Sequence, residues 1–435
     1  MGMAETFSLQ ERKKFSRVAI CSTWFGCVSE QVINSNSLII IYLVALGGNA
    51  SFSMFSTSMG AITAMLTMIP ISVLVSKIGL RKSYSLACIS DCLAFLLMAA
   101  APFIAGAYAK YVVIFGCMLF SLMSIFYSVA WFPMLDNFLQ PQDRGGFFGK
   151  MRFSYMLFNT VLIFCFGKLL GEDPPLWMMQ LIIVFAGLMM LGRKVCMDKM
   201  PVDENNSKKE SGLNLKQAFG ISISNAPLVG FSFYMCVCNI AIMPLLPLSI
   251  LYMKTVLDFG ASTIMIITSL YLGGQIVGYA LLGKAMHAWG TRKFQFITHT
   301  VFVLIMIGYC MIAPDNQHAH IWLGVLSFAN GLAWSFLYCL SSTENLALAR
   351  PGNKVMAVAF CNTFLHIGTT CGRIGSTLIM AAGILMPQWE CFGVTLSSYN
   401  FLFMVSLVIF VFCYLLLLLC PSVVPKHHDY YNPTI

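Results

Sequence analysis

Long apolar stretches recur along the whole chain, and they constrain its fold more than any other feature. A helix needs about 20 apolar residues to cross the roughly 30 Å hydrocarbon core of a bilayer. Of the 435 residues, 58% are hydrophobic and only 10% are charged, whereas soluble domains carry about 25% charged residues. The sequence therefore predicts an all-α, multi-pass membrane protein with twelve transmembrane helices. The predicted spans lie near 17–46, 52–76, 83–103, 109–137, 149–171, 175–193, 224–253, 261–285, 294–313, 319–344, 355–384 and 397–420.

The distribution of basic residues predicts the orientation of these spans. Of the 26 Lys and Arg residues, 22 fall in segments that are cytoplasmic if both termini are. Three lie on the outer side (Lys110, Lys168 and Lys254), and Arg373 lies within a predicted span. Because cytoplasmic segments carry an excess of Lys and Arg, both termini are predicted to be cytoplasmic, in a plasma or inner membrane. The net charge of +9 follows from this bias, and the pattern gives no indication of nucleic-acid binding.

A polar stretch in the middle of the chain divides the predicted spans into two sets of six. Short motifs recur in the two halves at nearly the same offset. The tetrapeptides GLRK (79–82) and GTRK (290–293) lie 211 residues apart, and Pro141 and Pro351 lie 210 apart. A constant offset indicates an internal duplication into two pseudo-symmetric bundles. The predicted parts are an N-terminal bundle 1–192, a cytoplasmic linker 193–223, a C-terminal bundle 224–420 and a cytoplasmic tail 421–435.

The basic turn in each half resembles the marker of the major facilitator superfamily, G-x-x-x-D-R-x-G-R-R/K, which in that family latches two six-helix bundles. The family's acid is replaced by Ser76 in the first half and by His287 in the second, so the latch is built differently here. Charged residues at the predicted cytoplasmic helix ends are expected to act in gating. They are Arg81, Lys82, Asp136, Arg144, Arg292, Lys293 and Glu344.

The resemblance further implies that helices 1, 4, 7 and 10 line a central cavity, flanked by helices 2, 5, 8 and 11. Polar and aromatic residues of the predicted spans concentrate on these helices, whereas helices 6, 9 and 12 are almost wholly apolar and are expected to face lipid. The residues expected to bind substrate are Trp24, Gln31, Asn34, Trp131, Asn239, Gln275, Asn330, Trp334 and Arg373.

Glu30 lies deep inside the first predicted span, about 20 Å from Arg17 at 1.5 Å per residue. Ionisable residues inside a membrane are costly and mark ion or substrate pathways, so Glu30 is predicted to couple transport to a proton or sodium ion. His366 in helix 11 either assists it or makes a polar packing contact. Asp91 in helix 3 is expected to bond a neighbouring helix, with a role in coupling as the alternative.

These features favour an ion-gradient-driven, proton-coupled transporter of a small polar solute, sugar-like because Trp rings and amides suit hydroxyl-rich ligands. An organic-anion transporter using Arg373 and a drug/proton antiporter are alternatives, although helix 5 lacks the antiporters' glycine-rich signature. A sensor or a lipid flippase of the same fold is a further alternative. Enzyme and nucleotide-site motifs are missing from the sequence, so we expect neither catalysis nor a cofactor. The protein is expected to act as a monomer.

Overall fold

The fold is almost entirely helical in the computed structural model, which describes residues 7–34, 37–139, 144–202, 215–348, 354–383, 388–391 and 394–419. Fifteen α-helices and one two-stranded hairpin occur in this part of the chain. The helices up to the linker are α1 (Leu9–Asn34), α2 (Ser37–Ala45), α3 (Ala50–Ser56), α4 (Met59–Ile78), α5 (Leu80–Ala105), α6 (Ala109–Asp136), α7 (Arg144–Leu170) and α8 (Leu176–Asp198). Those that follow are α9 (Leu215–Ile223), α10 (Ala226–Ile242), α11 (Leu245–Thr255), α12 (Ala261–Cys310), α13 (Ala319–Leu348), α14 (Lys354–Ala381) and α15 (Ser398–Leu419).

Each of the twelve predicted spans is mainly helical where the structure describes it, so the prediction of an all-α membrane fold is confirmed. In the described residues, eight helical segments are long and apolar enough to cross a membrane, or nine if the bent pair α1 and α2 forms one span. The hairpin was not predicted. Its strands β1 (Gln388–Cys391) and β2 (Val394–Ser397) are antiparallel, with Trp389 opposite Leu396.

The described parts of helix 1 are α1 and α2, whose axes differ by 46°. Two other spans that the sequence predicts as single helices are each broken in two. Helix 7 breaks between α10 and α11 at Pro244, because proline lacks an N–H donor and clashes with the preceding turn. Between α3 and α4, the Thr57 hydroxyl donates to the Met54 carbonyl, a local bond that competes with the helical ladder and bends helices.

The opposite difference occurs at helices 8 and 9. The sequence predicted a turn near Gly290, yet α12 is helical over all 50 residues from Ala261 to Cys310. At 1.5 Å per residue that length is about 75 Å, more than twice the hydrocarbon thickness. The two candidate spans within it are Ala261–Leu282 and Lys293–Cys310, so the segment between them continues the helix outside the apolar core.

The chain forms two compact units. The first unit comprises Met1–Gly48 and Leu66–Gly212, and the second comprises Asn49–Met65 and Leu213–Ile435. The segment Asn49–Met65 therefore packs with the second unit, although the sequence repeat assigns it to the N-terminal half. In the first unit α5 packs between α6 and α8, and α1 contacts both α7 and α8; in the second unit α10 packs against α14 and α15, and α12 against α13.

Candidate functional site

A buried ion pair between α1 and α8 forms the centre of the first unit's polar cluster. Arg193 Nη1 lies 2.8 Å from Glu30 Oε1. Its guanidinium carbon lies 3.4 Å from the centroid of the Tyr127 ring on α6, within the range of a cation–π interaction. Only 3% of Arg193 is exposed. The sequence predicts Arg193 at the start of the cytoplasmic linker, whereas α8 continues to Asp198 and buries this side chain.

Glycine on α1 makes room for the arginine. A Cβ atom at Gly26 would lie 2.0 Å from Cζ of Arg193, so any side chain there would collide with the guanidinium. One turn further along, the Ser29 hydroxyl donates to the Ala186 carbonyl of α8 at 2.6 Å. The small residues of α1 thus let α8 approach closely enough for the ion pair to form.

Asp91 on α5 is the second carboxyl group of this cluster. Its side chain is 0% exposed, and neither carboxyl oxygen has a hydrogen-bond partner among the described residues. Arg193 and Glu30 are the charged groups that act on it electrostatically. The expected hydrogen bond to a neighbouring helix is thus not found in the described part of the chain.

Trp24 lies on the side of α1 that faces α7. Its indole Nε1 donates to Ser154 Oγ at 3.0 Å, and its ring stacks on Phe158 with the centroids 5.4 Å apart and an interplanar angle of 10°. Trp24 is nevertheless 39% exposed. Gln31 is seven residues further along α1 and therefore lies on the same face; the Asn34 side chain is outside the described residues.

Trp131 on α6 connects to the ion pair through Tyr127. The two rings stack with their centroids 5.5 Å apart, and Tyr127 in turn lies under Arg193. Trp131 is 6% exposed. Of the expected site residues, the first unit thus joins Glu30 directly and Trp131 through Tyr127 to Arg193.

In the second unit, Arg373 on α14 bonds the carbonyl groups at two helix breaks. Its Nε donates to the Met243 carbonyl at 3.3 Å, where α10 ends, and its Nη1 donates to the Thr57 carbonyl, between α3 and α4. The carbonyl end of a helix carries a partial negative charge, so these contacts suit a guanidinium. His366 is seven residues earlier on α14 and shares its face.

The other expected substrate-binding residues of the second unit are mostly buried and locally bonded. Asn239 donates to the Met235 carbonyl of its own helix at 2.7 Å. Gln275 interacts with Tyr271, and Asn330 interacts with Tyr309. Trp334 packs beside Tyr338 at 6.0 Å between centroids, with the rings tilted by 38°.

The expected gating residues divide into three groups. Arg81, Lys82 and Lys293 are exposed. Glu344 is 2% exposed. The side chains of Asp136, Arg144 and Arg292 lie outside the described residues.

Predicted helices 9 and 12, which correspond to the second half of α12 and to α15, are almost wholly apolar, yet each carries a buried polar side chain. Nε2 of His299 lies 2.5 Å from the Tyr234 hydroxyl, and its Nδ1 lies 2.8 Å from the Gln295 carbonyl. A carbonyl can only accept, so Nδ1 is the donor in the bond to Gln295. On α15, Asn400 Nδ2 donates to the Ile312 carbonyl at 2.8 Å. These bonds tie helices together and leave His299 a structural role.

Two packed units of long apolar helices, with ionisable side chains paired inside the spans, define a polytopic membrane protein of the transporter class. The family model described as Major Facilitator Superfamily matches residues 19–372. The chain belongs to the major facilitator superfamily, and it is accordingly a multi-pass membrane transporter.

Solved structures of this superfamily share the fold at low sequence identity. A point mutant of the nucleoside transporter NupG is 12% identical and has a TM-score of 0.71, with 92% of this chain and 98% of that chain covered. A D-xylose–proton symporter is 11% identical, with a TM-score of 0.68 and coverages of 92% and 96%. A bacterial homologue of the iron transporter ferroportin, in its inward-facing state, is 13% identical, with a TM-score of 0.66 and coverages of 95% and 99%.

A sequence search of curated proteins gives no significant match.

Proposed function

We propose that this chain is a proton-coupled secondary transporter that moves a small, polar, sugar-like solute by alternating access. The observation that carries the proposal is the Glu30–Arg193 ion pair within the membrane-spanning helices. Arginine stays protonated in proteins, so Glu30 is the member of the pair that can gain and lose a proton. Its side chain is 31% exposed, which gives a proton access to it.

Protonation of Glu30 would remove the counter-ion of Arg193. A hydrogen bond between charged groups contributes about 1.5–3 kcal/mol, and each 1.4 kcal/mol changes an equilibrium constant about tenfold. Breaking this one bond can therefore shift a conformational equilibrium by about one to two orders of magnitude. A larger bias would need further contacts, and His366 on α14 is the residue we propose as the second protonatable group.

The solute is proposed to bind on the α1 face that carries Trp24 and Gln31. A partly exposed indole offers an apolar surface for a sugar ring, and an amide both donates to and accepts from hydroxyl groups. Trp24 faces α7 and Glu30 faces α8, so α1 connects the proposed solute face to the proton-binding pair. A proton-driven change in the α1–α8 contact would then move Trp24.

Two of the similar structures are those of a nucleoside transporter and a D-xylose–proton symporter. At 11–12% identity this likeness extends to the fold alone, so the proposed solute class rests on the residues of α1. The gating role of the charged residues at the helix ends and the cytoplasmic location of both termini belong to the same proposal.

Ligand-dependent thermal stability is the first test. Purified protein is screened against sugars, polyols, nucleosides, carboxylates and organic cations, since a ligand raises the unfolding free energy by RT ln(1 + [L]/Kd). We expect stabilisation by a neutral, hydroxyl-rich compound, weakened by Trp24→Ala. Stabilisation by an organic cation alone would point instead to the antiporter alternative.

The second test measures accumulation of the compound found in the screen, in proteoliposomes with an imposed proton gradient. Glu30→Gln should abolish accumulation against the gradient and keep binding, because the amide cannot carry a proton. The matched control is Glu11→Gln on the same helix, whose carboxylate bonds only Ser8 among the described residues and should leave accumulation unchanged. Full accumulation by the Glu30 variant, or dependence on sodium in place of a proton gradient, would overturn proton coupling at this residue.

Transport of an organic anion is a second candidate function, and Arg373 is the observation that favours it. In the described part of the chain, its bonding partners are two backbone carbonyls, and no carboxylate lies within ion-pair distance. A carboxylate solute could therefore supply the missing counter-ion. In the same screen, stabilisation by carboxylates that Arg373→Ala abolishes and Trp24→Ala does not would favour this function.

A further inference from the structure

We propose that Asp91 and Glu30 form a two-position proton relay, in which the Arg193 guanidinium pairs with whichever of the two carboxylates is ionised. The inference deepens the proposed function and rests on proton binding at Glu30. It assigns a proton-binding role to a residue of helix 3, which lies outside the expected cavity-lining helices.

The first argument is the condition of Asp91 in the structure. It is fully buried, and both of its oxygens lack a partner among the described residues. An isolated carboxylate taken out of water costs several kcal/mol even after the protein relaxes. Such a group is stable only as the neutral acid, so in this conformation Asp91 holds a proton and Glu30 holds the negative charge.

The second argument is the unused bonding capacity of Arg193. Its Nη1 is paired with Glu30, while its Nε is buried and has no partner in the described part of the chain. A guanidinium presents five N–H donors in a rigid, planar fork. The cluster thus contains a buried N–H donor without an acceptor and a buried carboxyl group without a donor. A hydrogen bond between them would satisfy both groups.

The packing of α5 on α8 places the two groups within about one helical turn of each other. The two helices are antiparallel, since the Tyr84 hydroxyl donates to Asp198 and Gln180 Nε2 donates to the Ala99 carbonyl. Cys88 and Cys92 of α5 contact Met190 of α8 in one buried cluster, so Asp91 lies near the level of Met190, and Arg193 lies three residues, about 4.5 Å, further along α8. Arg193 and Glu30 are accordingly the charges that act on Asp91.

Other titratable groups around Asp91 come from each helix packed against it. Cys27 is on α1, Tyr127 on α6, and Cys88 and Cys92 on α5 itself. On α8, Asp198 is already bonded, to Lys194 at 2.7 Å and to the Tyr84 hydroxyl at 2.8 Å. Thiols and phenols are neutral at physiological pH unless perturbed, which leaves Asp91 and Glu30 as the two carboxyl groups available to Arg193.

Exchange between the two positions conserves charge. The proton of Asp91 passes to Glu30, the bond from Arg193 to Glu30 is lost, and the Asp91 carboxylate accepts from Arg193 in its place. The cluster holds one proton, one carboxylate and one guanidinium before and after, so no unpaired charge is left in the membrane. The proton can leave from Glu30, whose side chain is partly exposed, and a proton taken up at Glu30 returns to Asp91 by the reverse exchange.

The test is infrared spectroscopy of full-length protein with ¹³C-labelled aspartate, near neutral pH, and it needs no solute. Wild-type protein should show the carbonyl stretch of a protonated aspartic acid, and Asp91→Asn should lose it. In Glu30→Gln the same band should disappear, because Arg193 turns to Asp91 and Asp91 ionises. A band that is absent from wild type, or that persists in Glu30→Gln, would overturn the relay.

A double-mutant cycle on thermal stability provides the second measurement. Glu30→Gln combined with Asp91→Asn leaves Arg193 without a carboxylate. The decrease in Tm of the double variant should therefore exceed the sum of the decreases in the two single variants. The control cycle combines Glu30→Gln with Asp198→Asn, whose partners are separate, and should be additive. If Asp91→Asn does not fold, Asp91→Ser takes its place; additive behaviour in the first cycle would contradict the relay.

Failure of the relay and failure of the proposed function give different results. If transport does not respond to a proton gradient while the aspartate band still disappears in Glu30→Gln, the exchange of Arg193 stands and proton-coupled transport fails. If Glu30→Gln abolishes accumulation while the band persists, coupling at Glu30 stands and Asp91 has no part in it.

Discussion

Arg193 is the residue on which the charge cluster depends, and its position is set by three neighbours. Glu30 neutralises its charge, Tyr127 covers one face of the guanidinium, and Gly26 leaves the space that it fills. Because arginine cannot lose its proton, any change that displaces it leaves a buried charge unpaired. The cluster should therefore be more sensitive to a single methyl group than to many larger changes at the lipid-facing surface.

We predict that Gly26→Ala destabilises the protein and disrupts the ion pair. The new Cβ would lie 2.0 Å from the arginine Cζ, and overpacking of a core typically costs about 1–3 kcal/mol. The measurement is the Tm of the purified variant. Gly230→Ala on α10 is the control, since nothing lies within 4 Å of a Cβ there; equal Tm values for the two variants would show that Arg193 moves aside at no cost.

At the scale of helices, close backbone contact through glycine holds the second unit together. Gly368 and Gly372 lie one turn apart on α14, and Cβ atoms at these positions would lie 2.2 Å and 2.3 Å from the carbonyl oxygens of Cys236 and Ile240 on α10. Small residues let membrane helices approach each other where lipid offers no hydrophobic driving force for association. The contact also fixes α14, which carries His366 and Arg373, against the break in helix 7.

We predict that Gly372→Ala separates α14 from α10. The unfolding free energy should fall by roughly 1–3 kcal/mol, and the Tm with it, because the new Cβ meets a backbone carbonyl that cannot rotate away. Gly375→Ala on the same helix meets nothing within 4 Å and gains helix propensity, so its Tm should be unchanged or higher. The pair is compared by thermal unfolding in detergent. A loss of stability in Gly375→Ala as large as that in Gly372→Ala would refute close α14–α10 packing as the cause.

At the scale of the whole molecule, the basic residues predict how the chain lies in the membrane. Reversing the orientation would place 22 of the 26 Lys and Arg residues outside, against the bias that sets membrane topology. The helices confirm that the chain crosses the bilayer several times, and the orientation stays a prediction.

Reporter fusions test this orientation. A fusion after Lys199 and one at the C-terminus should report a cytoplasmic location, whereas a fusion after Lys254 should report the opposite side, because α10 and α11 together cross the membrane once. A C-terminal reporter active on the outside would reverse the assignment of the gating residues to the cytoplasmic side.

The membrane class and the helical fold could be predicted from the sequence alone, and the two-fold repeat and the role of Glu30 stay predictions. These predictions follow from local rules. A bilayer requires about 20 apolar residues per helix, and an acidic residue within such a stretch is energetically costly and marks an ion or substrate pathway. The positions where helices are interrupted are harder to predict from the sequence, since Pro244 interrupts helix 7 whereas Gly290 does not interrupt α12.

Which side chains meet could be seen only from the packing of the helices. Arg193 reads as a helix-end cation in the sequence, and its pairing with Glu30 required α8 to pack on α1 across the space at Gly26. Likewise, the sequence places Asp91 on a helix face without showing whether a partner lies opposite. Helical periodicity fixes the face on which a residue lies, but the neighbour of that face depends on packing between segments distant in the chain, and charge pairing in a membrane depends on that neighbour.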